Sequence, residues 1–269
     1  MVEAVLTLGI SGLVFGVLLG LAAAKFKLEQ DPRVSQILDV LPGANCGGCG
    51  YPGCSGLASA IVAGQAPVNA CVVGGNTVAE KIAGIMGVEA SPVTSKVAVV
   101  YCQGSCEAAE PKAEYLGIED CRALNQLGGT KGCPYGCLGL GSCVKACKFG
   151  AIYMSPDGVP VVIREKCTGC GACVKACPRG IIDLVPAEKQ VHILCRSYDK
   201  GPVVRKYCKV GCIACQACVK VCPVKAISMD KQTLARIDYS LCNNCEVCVS
   251  KCPVKTIVSY KAGEEKAAS

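Results

Sequence analysis

The hydrophobic pattern begins with an uncharged run of twenty-one residues, from Ala4 to Ala24. A helix of this length spans the hydrocarbon core of a bilayer. Lys25 and Lys27 follow directly, whereas the other end has only the start amine and Glu3, so the positive-inside tendency predicts that everything after the run lies in the cytoplasm. A cleaved signal peptide is the alternative, but the basic N-terminal segment of such peptides is missing and the apolar run is too long. Residues 1–26 are therefore predicted to be a retained single-pass anchor.

Beyond a short polar linker, the apolar positions indicate small elements of both kinds. Residues 55–63 and 77–85 have the spacing of short amphipathic helices. Residues 153–163 and 228–237 alternate as β-hairpins do, and the first has Asp157-Gly158 at its turn. The mixture predicts an α+β fold in several small domains.

Twenty-five of the 269 residues are cysteine. Disulfide scaffolds, zinc modules and iron–sulfur proteins reach such a density. Disulfides need an oxidising compartment, which conflicts with the predicted cytoplasmic side. Zinc modules need pairs of cysteine knuckles separated by spacers. Neither class explains runs of four cysteines within eleven residues followed by proline, three of which occur here, so the pattern favours iron–sulfur clusters.

The first group of cysteines lies in a domain expected over residues 34–90. Its members are Cys46, Cys49, Cys54 and Cys71. Glycines between the first three let the backbone wrap closely around a cluster. Ser55 is expected to cap the following helix, whose positive N-terminal end would then point at the anionic cluster. The prediction is a 4Fe-4S site held by all four thiols, and a zinc site is the alternative.

A repeat with a period of thirty residues, present as two tandem pairs, contains most of the other cysteines. The complete copies, each followed by proline, are Cys167, Cys170, Cys173 and Cys177; Cys212, Cys215, Cys218 and Cys222; and Cys242, Cys245, Cys248 and Cys252. The remaining copy has Cys137, Cys143 and Cys147, but Leu140 stands where its second cysteine should be. An isoleucine follows each copy, and these four are expected to form small cores under the clusters: Ile152, Ile182, Ile227 and Ile257.

Paired motifs of this kind resemble the bacterial two-cluster ferredoxins, in which the first three cysteines of one motif bind one cluster and the fourth binds the neighbouring cluster. The resemblance implies three complete ligand sets: Cys212, Cys215, Cys218 with Cys252; Cys242, Cys245, Cys248 with Cys222; and Cys167, Cys170, Cys173 with Cys147. The fourth set keeps only Cys137, Cys143 and Cys177. Residues 205–260 would be one ferredoxin domain, residues 97–200 an extended ferredoxin-like module, and residues 261–269 a disordered tail.

Six cysteines lie outside the repeats: Cys102, Cys106, Cys121, Cys133, Cys195 and Cys208. The incomplete set must recruit a fourth ligand, for which Cys133, Cys195 and Cys208 are the candidates, since each is expected at the edge of this unit. A three-iron cluster on three cysteines is the alternative. Cys102 and Cys121 are also counted as ligands and Cys106 as the spare. The prediction is then six 4Fe-4S clusters, or five if the region 102–133 serves only for packing.

The sequence gives little support for a Rieske centre, a nucleotide cofactor or a nucleic-acid partner. His192 is the only histidine, so a Rieske centre is excluded, and the residue is expected in a hairpin rather than as a ligand. Neither a glycine-rich dinucleotide fingerprint nor a phosphate-binding loop is present. The formal charge of +7 is offset by anionic clusters, and the lysines are scattered without interleaved aromatic residues, so nucleic acid is not expected as a partner.

The order of one transmembrane helix, a four-cysteine domain and ferredoxin-type pairs resembles the B subunit of Rnf complexes, the ion-translocating ferredoxin:NAD⁺ oxidoreductases of bacterial membranes. Residues 41–54, LPGANCGGCGYPGC, are very similar to that family's cluster domain, and the extra segment 97–197 resembles the long type found in anaerobes.

The resemblance implies an iron–sulfur electron-transfer subunit of a translocase-type oxidoreductase in the bacterial inner membrane, with its cysteine domains on the cytoplasmic side. It would have no catalytic residue and no complete NAD site of its own. Its partners would be soluble ferredoxin and the other membrane and peripheral subunits, and electron flow would drive Na⁺ or H⁺ outward. A polyferredoxin subunit of a hydrogenase or heterodisulfide reductase complex is the alternative, and a zinc scaffold is the non-redox alternative.

Overall fold

The computed structural model describes residues 2–25 and 31–260, so the expected tail at 261–269 lies outside the described residues. The helices are short except for the first. In chain order they are α1 (Val2–Lys25), α2 (Pro32–Val40), α3 (Gly53–Val62), α4 (Gly75–Met86), α5 (Cys121–Gln126), α6 (Ser142–Lys145), α7 (Ala172–Ala176), α8 (Gly201–Tyr207), α9 (Ala217–Val221) and α10 (Val247–Ser250), with a 3₁₀ turn at Arg164–Lys166.

The strands form two-stranded antiparallel sheets. They are β1 (Lys96–Val100), β2 (Ile152–Met154), β3 (Pro160–Val162), β4 (Ile182–Pro186), β5 (Val191–Ile193), β6 (Ile227–Asp230), β7 (Leu234–Ile237) and β8 (Ile257–Ser259). Strand β1 pairs with β4, β2 with β3, β5 with β8, and β6 with β7. Short helices and small sheets together confirm the α+β class.

Helix α1 contains the apolar window Val5–Ala22, which is long and apolar enough to cross a membrane, a property that an N-terminal signal sequence shares. Its large side chains are exposed, as lipid-facing residues would be.

Helices α2, α3 and α4 pack together in the first cysteine domain around Ile37, Leu57, Ile61 and Ile82. The predicted helices at 55–63 and 77–85 are therefore confirmed, with each starting two residues earlier than expected. The expectation that Ser55 caps the first was wrong, because the helix already begins at Gly53.

The two predicted hairpins are confirmed as β2–β3 and β6–β7. The four repeat isoleucines are all buried, two in each of two cores, where they lie among cysteine side chains: Ile152 and Ile182 in the first, Ile227 and Ile257 in the second.

Each ferredoxin-like module has one additional strand from further up the chain. Strand β1 lies antiparallel to β4, with Val100 opposite Ile182, and β5 lies antiparallel to β8, with Ile193 opposite Ile257. The expected local hairpin for His192 was wrong, because its strand β5 pairs with the distant β8 and its side chain is fully buried.

Candidate metal centres

We divide twenty-four of the cysteines into six groups of four, named sites I to VI. The structure brings together all four cysteines of sites III to VI, whereas Cys46 of site I and Cys147 of site II are assigned by the predicted ligand sets. Site I is Cys46, Cys49, Cys54 and Cys71; site II is Cys147, Cys167, Cys170 and Cys173; site III is Cys121, Cys137, Cys143 and Cys177; site IV is Cys102, Cys133, Cys195 and Cys208; site V is Cys212, Cys215, Cys218 and Cys252; site VI is Cys222, Cys242, Cys245 and Cys248.

Site I is formed by a glycine-rich loop and the start of α3. Cys71 is buried in the domain core, where Cys49 and Cys54 pack against it, and Cys46 lies one step earlier on the loop. The Asn45 side chain accepts a hydrogen bond of 2.8 Å from the backbone N–H of Cys54 and so holds the loop against the helix start. Sequence reasoning missed Asn45; its position next to Cys46 was the only signal.

Sites V and VI follow the exchange of fourth cysteines that the ferredoxin resemblance implies. One cavity is lined by Cys212, Cys215, Cys218 and Cys252, with Met229 and Ile257 beneath. Around Cys248, burial raises the thiol pKa to about 11, and the neighbouring thiols of Cys245, Cys242 and Cys222 act in the same direction.

Site II has the same arrangement in the middle module. Burial raises the pKa of the Cys173 thiol to about 12, and the nearby Cys167 and Cys170 thiols add to this effect. Cys147 packs in the same core, and its Sγ accepts a 3.4 Å hydrogen bond from the backbone N–H of Ala151.

Site III contains the position where the repeat fails. Its cavity is lined by Cys137, Cys143, Cys177 and, as the fourth thiol, Cys121. The structure thus places Cys121 in this cavity, rather than Cys133, Cys195 or Cys208, which were the candidates expected from the sequence.

The backbone around α5 explains why Cys121 reaches this cavity. Asp120 caps α5 by accepting a 2.9 Å hydrogen bond from the N–H of Arg122. Ser142, at the start of α6 beside Cys143, donates to Asp120 at 3.0 Å and accepts from the N–H of Cys121 at 2.8 Å. These hydrogen bonds join segments 21 and 22 residues apart in the chain at the site. Leu140 packs against the same small core as Cys121.

Site IV lies between the two modules. Cys102 and Cys133 belong to the middle module, and Cys208 belongs to the C-terminal module. Cys195 lies within the span predicted for the middle module but follows β5, which pairs with β8 of the C-terminal module. The cavity of site IV is lined by Cys102, Cys133, Cys195 and Cys208. Burial raises the pKa of the Cys133 thiol to about 11 and that of the Cys195 thiol to about 12.

Site IV consists of two halves, Cys102 with Cys133 and Cys195 with Cys208. The two halves occupy equivalent positions relative to the strands and motifs of the two modules. Cys102 lies two residues after β1, and Cys195 lies two residues after β5. Cys133 and Cys208 each precede the first motif cysteine of their module by four residues. The Sγ atoms of Cys102 and Cys195 accept hydrogen bonds of 3.4 and 3.3 Å from the N–H groups of Cys137 and Cys212, which are themselves equivalent.

The donor chemistry of these sites fits iron–sulfur clusters. Backbone N–H groups point at Sγ atoms throughout, including those of Cys71, Cys167 and Cys222 at 3.3 to 3.4 Å, and such bonds stabilise thiolate ligands. Burial raises the pKa of several of these thiols, Cys173 and Cys195 among them, so that they become thiolate ligands only when a metal binds them.

The six sites form an unbroken series in space. Gly48 of site I lies so close to Cys170 of site II that a Cβ on the glycine would be 2.7 Å from the Cys170 carbonyl oxygen. Sites II and III share one buried core, and sites V and VI share another. The hydrogen bonds from Cys137 to Cys102 and from Cys212 to Cys195 join site IV to sites III and V. The order is I, II, III, IV, V, VI.

Cys106 belongs to none of these groups. It is exposed, and its Sγ lies beside the β2–β3 turn, 3.1 Å from where a Cβ on Gly158 would be. His192 lies away from the cysteines: its ring bonds to the Tyr239 hydroxyl at 2.8 Å and approaches Arg164 at 3.4 Å. Burial, with Arg164 as a second cause, lowers the pKa of His192 to about 3, so the ring is neutral.

Comparison with protein families divides the chain in the same way. Residues 41–73 match the FeS family of iron–sulfur cluster domains, and residues 134–184 and 211–256 each match a 4Fe-4S dicluster domain family. The six cysteines outside the thirty-residue repeat and the first domain all fall outside these matches, and they include the whole of site IV.

Curated relatives align with most of the chain. The B subunit of the Na⁺-translocating ferredoxin:NAD⁺ oxidoreductase complex of Acetobacterium woodii is 50% identical over 236 residues, covering 87% of this chain and 71% of the relative. The B subunit of the proton-translocating ferredoxin:NAD⁺ oxidoreductase complex of Clostridium ljungdahlii is 48% identical, covering 87% and 82%. The B subunit of the ion-translocating oxidoreductase complex of Methanosarcina acetivorans is 44% identical, covering 86% and 88%.

Proposed function

Because this chain belongs to the family of B subunits of Rnf-type ion-translocating oxidoreductase complexes, we propose that it accepts electrons from reduced ferredoxin and relays them through six 4Fe-4S clusters to partner subunits. Its role as an iron–sulfur electron-transfer subunit follows from the family and its 4Fe-4S domains. The unbroken series of sites I to VI is the observation that carries the finer proposal, since tunnelling between clusters falls steeply with distance.

Site VI and site V are the proposed input end of the series. Cys215 of site V and Cys245 of site VI are exposed, so a docked protein can approach these two centres closely. The equivalent cysteine of site II, Cys170, is half-buried, with Gly48 of site I packed against its backbone. Site I, which is nearest in sequence to α1, is the proposed output end towards the membrane partners.

The charge around the input end supports an acidic partner. Four lysines beside the cysteines of sites V and VI are exposed: Lys220, Lys225, Lys251 and Lys255. Small ferredoxins are acidic, and exposed charges of opposite sign accelerate docking in a salt-dependent way, because screening acts over about 8 Å at physiological ionic strength. The competing explanation is that these lysines only balance cluster charge.

Charge reversal separates these explanations. In Lys220→Glu with Lys251→Glu, the association rate with reduced ferredoxin is expected to fall about tenfold or more at low salt and to lose most of its salt dependence. Stopped-flow mixing under anaerobic conditions measures both. The matched control is Lys81→Glu with Lys96→Glu, which changes net charge equally at exposed positions outside the C-terminal module. If the two double variants associate with reduced ferredoxin at the same rate, the lysines beside sites V and VI serve only to balance cluster charge.

The cluster count is tested directly by composition. Anaerobically reconstituted protein is expected to contain about 24 iron atoms per chain and no stoichiometric zinc, because six cubanes contain four irons each. It should absorb near 400 nm, and dithionite should bleach that band. Fewer than about 16 iron atoms would rule out the six-cluster proposal.

We infer that NAD⁺ reduction and ion transport belong to partner subunits. The chain has no glycine-rich dinucleotide fingerprint, and its cavities described above are lined by cysteines. The proposal also includes a cytoplasmic location for the cysteine domains at the bacterial inner membrane. Lys25 and Lys27, directly after the apolar window of α1, support that orientation.

A further inference from the structure

Lys131 is a buried cation next to the cysteines of site IV. Only 7% of its surface is exposed. Its Nζ donates hydrogen bonds to the carbonyl oxygens of Gly104 at 2.7 Å and Gly158 at 3.3 Å. Across residues 2–25 and 31–260, no carboxylate lies within ion-pair distance of this ammonium. A buried ammonium with only carbonyl partners is costly unless a negative charge lies nearby.

The position of Lys131 indicates where that negative charge would be. The residue lines the cavity of site IV. Gly104, whose carbonyl holds the ammonium, abuts two thiols of that site: a Cβ on it would lie 3.5 Å from the Sγ of Cys102 and 3.9 Å from the Sγ of Cys208. Cys102 in turn accepts the hydrogen bond from Cys137 of site III, so Lys131 lies where sites III and IV meet.

The electrostatic reach of Lys131 includes both sites, because its carbonyl partner Gly104 abuts the thiols of Cys102 and Cys208. Cys102 also accepts the hydrogen bond from the backbone N–H of a site III cysteine. A fixed positive charge beside thiolate ligands stabilises added negative charge on whatever those thiolates bind.

We propose that Lys131 sets the reduction potentials of the clusters at sites III and IV, raising both by favouring the reduced, more negative state. The proposal rests on the proposed function, because it requires clusters at these two sites. Reduction adds one electron to a cluster and breaks no bond, so a fixed cation that is shielded from water acts on it directly. Lys131 is thus a tuning residue, which keeps electrons at the junction between the two modules energetically accessible.

The chain itself contains a matched control. Lys131 precedes Cys133 by two residues, and Lys206 precedes the equivalent Cys208 by the same step. Lys206 lies on α8 and is exposed. The two lysines therefore hold equivalent positions in sequence, two residues before a site IV cysteine, but differ in burial, which decides how far water screens their charge.

The test is an anaerobic redox titration of the full-length protein, followed by EPR and absorbance, with iron analysis of each sample. In Lys131→Gln, which keeps a hydrogen-bond donor for Gly104, two of the six one-electron steps should move to lower potential. The reduced fraction of those clusters at a fixed ambient potential should fall about tenfold, which corresponds to about 60 mV. Lys131→Arg should retain the wild-type potentials, and Lys206→Gln should shift none of them.

Each outcome decides the question. Unchanged potentials in Lys131→Gln with full iron content would overturn the proposal. Loss of about four irons in both Lys131→Gln and Lys131→Met, with retention in Lys131→Arg, would also overturn it, because the charge would then be needed to assemble a cluster rather than to set its potential. Failure of the six-cluster proposal would be visible separately, as a low iron content of the unaltered protein.

Discussion

Replacing Cys121 by alanine is expected to destroy the cluster at site III, and adding Leu140→Cys is expected to restore it. The single variant should lose about four of its irons, or retain a three-iron cluster with its own EPR signal. Leu140 occupies the position that a cysteine fills in the other three copies of the motif, and it packs beside Cys121. By its place in the repeat, a thiol at residue 140 is expected to reach the space of the thiol that was removed. Iron analysis and EPR of anaerobically reconstituted protein measure both effects.

The control for this experiment is Cys106→Ala, which removes an exposed thiol that lies outside all six groups. It should leave the iron content and the EPR spectrum unchanged. If Cys121→Ala kept every iron, Cys121 would not be a ligand. If Leu140→Cys failed to rescue a depleted Cys121→Ala variant, the site would depend on the specific path of α5 rather than on the number of thiols.

The sequence assigns four cysteines to each of sites I, II, V and VI because these sets follow local rules, and for sites V and VI the structure brings the same four cysteines together. At site I, all four cysteines lie within one short domain. At the other three, the thirty-residue repeat and the exchange of fourth cysteines define each set without any knowledge of tertiary structure. The same local rules predicted the two hairpins and the burial of the four repeat isoleucines.

The sequence could not show which cysteines outside the repeat belong to site III and which to site IV, because tertiary contacts bring these cysteines together. Cys121 reaches site III through hydrogen bonds among Asp120, Ser142 and its own backbone, which no spacing rule encodes. Cys102 and Cys195 reach site IV because β1 and β5 pair with β4 and β8. The sequence did contain one usable signal, which is the equal four-residue step from Cys133 and Cys208 to the motif that follows each. This signal indicated that both cysteines are ligands, but it did not indicate which other cysteines bind the same cluster.

The equivalence of the two halves of site IV explains how the two modules are joined. Each ferredoxin-like module adds one strand to its sheet, places a cysteine two residues beyond that strand, and places another four residues before its first motif. Either half alone offers two thiols, which is too few for a cubane held by four. A cluster between the modules can therefore form only when both are folded and correctly oriented, so the same centre would link the modules mechanically and electronically.

Removal of site IV is accordingly expected to divide the series into two isolated segments. Cys133→Ala with Cys208→Ala is the suitable variant, because these thiols, unlike those of Cys102 and Cys195, accept no hydrogen bond from a cysteine of sites III or V. Iron content should fall by about four, and dithionite should still reduce the five remaining clusters at equilibrium. On rapid mixing with reduced ferredoxin, only the two clusters of sites V and VI should be reduced in the fast phase, instead of all six.

This outcome follows from geometry, because site IV provides the contacts that connect site III with site V: one backbone N–H from each neighbouring site points at a site IV sulfur. With the intervening cluster missing, tunnelling must cross the combined length of two steps. Fast reduction of all five remaining clusters by ferredoxin would show a second route between the modules. Fast reduction of sites I to III but not of sites V and VI would reverse the proposed direction, since ferredoxin would then dock at the end nearest the membrane anchor.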